Sequence, residues 1–155
     1  MNYYVYMIAC KSKTKYCLWH ESDVGDRFVS EAGKIRTFST LEQVKEYGEL
    51  NNFDVCKDIT TLNISGDIDT TDVKSVLEAW NVASDISNTL YSSIWINSKT
   101  KKINRIYAKL LWGCNLEPLT PENEEFVPNF NDKEQKLIRR IYKFAQKYIR
   151  TKLLF

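Results

Sequence analysis

Only a few side chains in this sequence combine a reactive type with a suggestive spacing. Cys17 and His20 are the one thiol and imidazole close together in the chain, and His20 is its only histidine. A cysteine nucleophile needs a base within hydrogen-bond reach. Three positions apart on a strand, the two side chains point to opposite faces, so covalent catalysis through them is not expected. Asn81, Asp85 and Asn88 fall at i, i+4 and i+7, along one stripe of a helix. Asp85 sits at the border of the apolar face. It is either part of a polar cluster that satisfies its own hydrogen bonds and orients a neighbouring loop, or a recognition or catalytic carboxylate. No second acid, histidine or lysine stands beside it in sequence to make an acid–base pair. The four cysteines, Cys10, Cys17, Cys56 and Cys114, contain no C-x-x-C. A zinc site needs about four clustered ligands, so no metal and no cofactor are expected. There is no G-x-S-x-G, no P-loop and no G-x-G-x-x-G, which leaves acyl transfer and nucleotide chemistry without local support.

Two charge patterns remain. Asp54, Asp58, Asp67, Asp69 and Asp72 gather around the loop expected before the central helix. They form either an acidic contact surface or a solvated loop with helix-start preferences. Lys133, Lys136, Arg139, Arg140, Lys143, Lys147 and Arg150 share one side of the last helix. That side is either a phosphate-holding face or ordinary solvated surface.

These residues require elements to position them. Residues 70–95 carry Val73, Val76, Leu77, Trp80, Ala83, Ile86, Leu90 and Ile94 at three-and-four spacing, which predicts a long central helix capped by Thr70 or Thr71. Residues 3–10 and 16–20 are rich in aromatic and β-branched types and predict a hairpin around Lys11–Thr14. Short strands are expected at residues 27–29, 34–38 and 60–64. A short helix starts from Ser39 or Thr40 as its N-cap, with Glu42 three residues after Ser39 matching a capping box, and ends near Gly48. Residues 103–112 form a further helix with Gly113 as its C-cap, and Thr120-Pro121 opens a single turn. The last helix begins at Asn131 with Glu134 completing a capping box. The expected fold is α+β: a small antiparallel sheet from the N-terminal half, packed against a long central helix and C-terminal helices.

The 155 residues suit one domain spanning 1–155, with 43% hydrophobic residues for its core. No apolar run is long enough for a membrane span or a signal-peptide core, so no membrane association and a cytoplasmic location are expected. The net charge of +2 hides two unlike halves. Residues 1–98 hold 14 acids and 9 bases, and residues 99–155 hold 6 acids and 13 bases. A bipolar chain lacks the single dominant basic face of a nucleic-acid binder, and its acidic part suits a basic protein partner.

The hairpin resembles the start of a GIY-YIG nuclease. Tyr4-Val5-Tyr6 stands for the first tripeptide, Lys15-Tyr16-Cys17 for the second, and Arg27 follows at a suitable distance. The resemblance implies that a tyrosine, Tyr6 or Tyr16, works near the attacking water and that Arg27 holds phosphate. Both family glycines are missing, and Glu78 is a guess at the metal-binding glutamate. A second resemblance lies later. Trp80-Asn81-Val82-Ala83-Ser84-Asp85-Ile86 and the stretch from Leu110-Leu111-Trp112-Gly113-Cys114-Asn115 through Pro118 and Pro121 look like segments of bacterial immunity proteins of polymorphic or contact-dependent growth-inhibition toxin systems. It covers roughly residues 75–131. This resemblance implies a small cytoplasmic, non-catalytic inhibitor that binds the C-terminal domain of one cognate toxin, expected to be basic. It is the preferred expectation, with the five aspartates as candidate toxin contacts and the degenerate nuclease or nucleic-acid binder as the alternative.

Overall fold

A computed structural model describes residues 1–116, 120 and 124–155. The expected turn at Thr120-Pro121 involves Pro121, which lies outside the described residues. So does part of the second resemblance segment.

The chain starts with β1 (Asn2–Cys10) and β2 (Lys13–His20), an antiparallel hairpin in which Tyr6 pairs with Cys17 and Tyr4 with Trp19. Lys11 in the turn has a positive φ of 56°. Four two-residue strands follow: β3 (Arg27–Phe28), β4 (Ser30–Glu31), β5 (Lys34–Ile35) and β6 (Thr37–Phe38). β4 and β5 form a ribbon turned at Ala32 and Gly33, both with positive φ, as tight two-residue hairpins require. α1 (Leu41–Leu50) is capped by Thr40, one of the two expected caps, which accepts from the Gln43 amide, while Gln43 rather than Glu42 reaches back to accept from the Ser39 amide.

β7 (Asp54–Asn63) is ten residues long and begins six residues before the expected strand. It runs along the edge of the sheet, where Lys57 to Thr61 are exposed, so it shows no apolar alternation to read. The sheet order is β3-β2-β1-β7, with β6 also pairing β2. The α+β architecture is as expected, with one correction to the antiparallel sheet. β7 pairs parallel to β1, because the chain crosses over through α1 before returning. A register shift between Tyr3 and Val5 marks a bulge in this pairing.

α2 (Val73–Thr89) is the central helix. Its cap is Asp72, which accepts from the Ser75 amide, in place of the expected Thr70 or Thr71. It also stops short of residue 95. Leu90 is its C-cap, Tyr91 takes φ 53°, and Ser87 and Ser92 close the end with side-chain and backbone bonds. A single 3-10 turn (Trp95–Asn97) leads to α3 (Lys101–Gly113), and α4 (Asp132–Lys152) carries the expected Asn131/Glu134 capping box.

The sheet is covered on both faces. One face buries Ile8, Cys10, Cys17 and Leu62 against α2, with Ile106 and Leu110 of α3 and Ile138, Ile141 and Ile149 of α4 in the same cluster. The other buries Val5, Leu18 and Phe38 against Val44 of α1. Among the described residues no helix is long and apolar enough to cross a membrane.

Candidate functional site

The strand period places Tyr6 and Trp19 on the face that α2 covers, while Tyr3 and Tyr16 pack on the α1 side. At one end of the sheet α2 does not close fully against the hairpin. The opening is a cleft of about 580 Å³ walled by Tyr6, Trp19, Trp80, Asp85, Asn97 and Tyr107.

Its walls are fixed to one another by hydrogen bonds. Trp19 Nε1 donates to the Asp85 carboxylate at 2.9 Å. Trp80 Nε1 donates to Asn97 Oδ1 at 3.1 Å, and Ser84 Oγ donates to the same oxygen at 2.9 Å. Tyr107 O–H donates to Asn81 Oδ1 at 2.8 Å, and its ring stands edge-on to Trp80 at 5.0 Å. The 3-10 turn supplies Asn97 and α3 supplies Tyr107, so the cleft draws on both halves of the chain.

The low polarity of the surroundings controls the acids. Burial pushes the Asp85 carboxyl up to about 7, the Trp19 hydrogen bond opposes this, and nearby Asp26 adds to it. Burial, with the charges of Glu78, Asp85 and Asp26, raises Tyr6 to about 12, so its phenol stays protonated at neutral pH. Glu78, half-buried on α2, is also raised, chiefly by burial.

The other sequence candidates fall elsewhere. Cys17 is fully buried in the main core, and burial raises its thiol to about 12. His20 lies on the opposite face, against the Tyr3 ring. Tyr6 and Tyr16 stand on opposite faces of the sheet and share no site. Arg27 is committed to Tyr91, donating from Nη1 to its O–H at 2.8 Å with the guanidinium 4.9 Å from the ring centre. Its buried Nε has no partner among the described residues. Those residues hold no group of three or more His, Cys, Asp or Glu side chains placed for a metal ion.

The five aspartates are all exposed but do not form one cluster. Asp54 opens β7 and Asp58 lies within it, while Asp67, Asp69 and Asp72 follow its far end, about 30 Å from Asp54 along an extended strand. Asp69 accepts from the Thr71 amide and hydroxyl, which hold its carboxyl below the usual range, and Asp72 caps α2. The sequence pattern missed Trp19, Asn97 and Tyr107. The Asn81/Asp85 spacing pointed to the cleft, and the two resemblances brought in Tyr6, Trp80 and Ser84.

No family model matches the chain, and no curated protein matches it. Among solved structures, the C-terminal domain of SatS, crystallised in complex with bromine, is similar in fold. Its TM-score is 0.56 at 13% identity, over 97% of this chain and 91% of that one. At that identity the likeness concerns the fold alone.

Proposed function

We propose that the chain is a non-catalytic binding protein of the immunity type, which neutralises a basic toxin domain in the cytoplasm. One observation carries this reading. The segment 80–86, one of the two on which the resemblance to immunity proteins rests, supplies Trp80, Asn81, Ser84 and Asp85 to the cleft. Its groups are rings, amides and an acid held by an indole, a set suited to recognition and lacking a nucleophile beside a base. Their mutual hydrogen bonds hold the cleft in shape before a partner arrives, which lowers the ordering cost of association.

The test is co-expression with the C-terminal domain of the protein encoded immediately upstream. One-to-one co-purification together with rescue of growth is the expected result. Absence of both a complex and rescue would remove this reading.

A further inference from the structure

We propose that the cleft seats an arginine side chain of the protein partner, with the guanidinium between the aromatic walls and the Asp85 carboxylate. The identity of the partner rests on the inhibitor reading; the chemistry of the seat rests on the cleft itself.

Four features define the occupant. First, the half-buried rings of Tyr6, Trp19 and Tyr107 line the cleft, with Trp80 buried behind them, and aromatic faces attract cations, most strongly when water is excluded. Second, the cleft acids among the described residues are Asp85 and Asp26, with Glu78 adding to the negative field at Tyr6, against Lys99 as the one cationic side chain in the lining among those residues. The Trp19 indole bonds one Asp85 oxygen, Oδ2, and Oδ1 has no protein partner among the described residues. Third, Asn97 turns its oxygen to Trp80, because an indole N–H can only donate. Its NH₂ group has no partner among the described residues and suits a carbonyl of the partner's backbone. Fourth, a cleft of about 580 Å³ accommodates one long side chain with its adjoining peptide.

A planar guanidinium answers these features better than an ammonium. It stacks on rings, presents several donors in a fixed fork and sheds water more readily. A neutral side chain of the same shape would leave the free Asp85 oxygen buried without compensation.

The experiment uses the whole chain and two small probes, N-acetyl-arginine N-methylamide and its neutral isostere, N-acetyl-citrulline N-methylamide. The indole N–H resonances of Trp19 and Trp80 report occupancy. At pH 8, where the Asp85 carboxyl is ionised, the arginine probe is expected to give a saturable shift with affinity on the order of millimolar. Binding of the citrulline probe, and of the arginine probe to Asp85→Asn, is expected to be weaker by about tenfold or more. Asp85→Asn retains an oxygen for the Trp19 indole, and unchanged backbone amide resonances away from the cleft verify its fold. Equal binding of both probes, or no saturable shift, overturns the assignment. A chain that co-purifies with the toxin domain yet ignores the arginine probe loses this inference alone. A chain that binds the probe but no toxin domain loses the inhibitor reading alone.

Discussion

Trp19 and Asp85, 66 positions apart in sequence, are joined by a 2.9 Å hydrogen bond that ties the N-terminal hairpin to the central helix at the mouth of the cleft. The bond keeps the carboxylate in place but does not recover its lost hydration. Burial therefore dominates, and the carboxyl rises from 3.8 to about 7.

A pH dependence of stability follows from this. Between about pH 4 and 7 the unfolded chain has released the Asp85 proton while the folded chain retains it. The Asp85 contribution to stability therefore falls as pH rises through that window and is flat above it. The groups that act on Asp85 or feel its charge are Trp19, Asp26, Tyr6 and Tyr107, and comparison with Asp85→Asn isolates the contribution of Asp85. The variant should match the wild type near pH 4 and exceed it near pH 8 by about 1–2 kcal/mol, after allowance for partial exposure to solvent. Denaturant unfolding at three pH values measures this. A constant offset between the two proteins would contradict it.

Gly48→Ala tests a close approach. Gly48 lies inside α1, and an added Cβ would meet Val55 Cγ2 of β7 at 2.7 Å. Valine is stiff about its first side-chain torsion, so it cannot swing aside cheaply. Overpacking costs about 1–3 kcal/mol against about 1 kcal/mol of regained helix propensity, which predicts a net loss of about 1 kcal/mol. Urea unfolding reads the sign, and a more stable variant would refute the argument.

The glycines also show what the sequence conceals. Gly48 and Gly113 both look like helix terminators. Gly48 is followed by two more helical residues, and Gly113 is itself helical, with the positive φ falling at Asn115. Gly113 is needed because a Cβ there would stand 2.9 Å from Pro128 Cγ and 3.2 Å from Val73 Cγ2. Both glycines serve tertiary contacts, which a local pattern does not contain. The hairpin, α2 and α4 were legible because their apolar spacing is itself the packing signal. β7 was cut short because an edge strand owes its place to backbone pairing with β1. From spacing the cleft was legible only in its α2 wall, since Tyr6, Trp19, Asn97 and Tyr107 come from four other elements that no local pattern links.

The thiols should divide into two classes. Cys10 and Cys17 are buried, and Cys56 and Cys114 are partly exposed. The raised Cys17 thiol is almost entirely un-ionised at pH 8. A disulfide reagent is expected to modify two thiols in the folded protein, with Cys114 slower than Cys56 because burial raises its thiol. The remaining two should react only on unfolding. Rapid reaction of Cys17 in the folded protein would restore it as a candidate nucleophile.

Lys15 stabilises the far end of α4. The helix finishes with Leu154 at φ 59°, the Leu154 amide donating to Thr151 O and the Phe155 amide to Arg150 O. This closing motif favours glycine at the left-handed position, and leucine there costs about 1 kcal/mol. Lys15 Nζ reaches from β2 to the Leu153 and Leu154 carbonyls at 2.7 and 3.0 Å and stands 5.4 Å from the Phe155 ring centre. A cation at a helix C-terminus interacts favourably with the dipole and satisfies carbonyls left without intrahelical partners. Lys15→Met keeps the apolar stem and removes the charge. It should lower stability by about 1 kcal/mol and speed amide exchange across the last turn of α4. Leu154→Gly relieves the backbone and should act with the opposite sign. If both substitutions leave exchange in the last turn unchanged, the closing motif is held by the burial of Leu153 instead, and Lys15 contributes nothing to it.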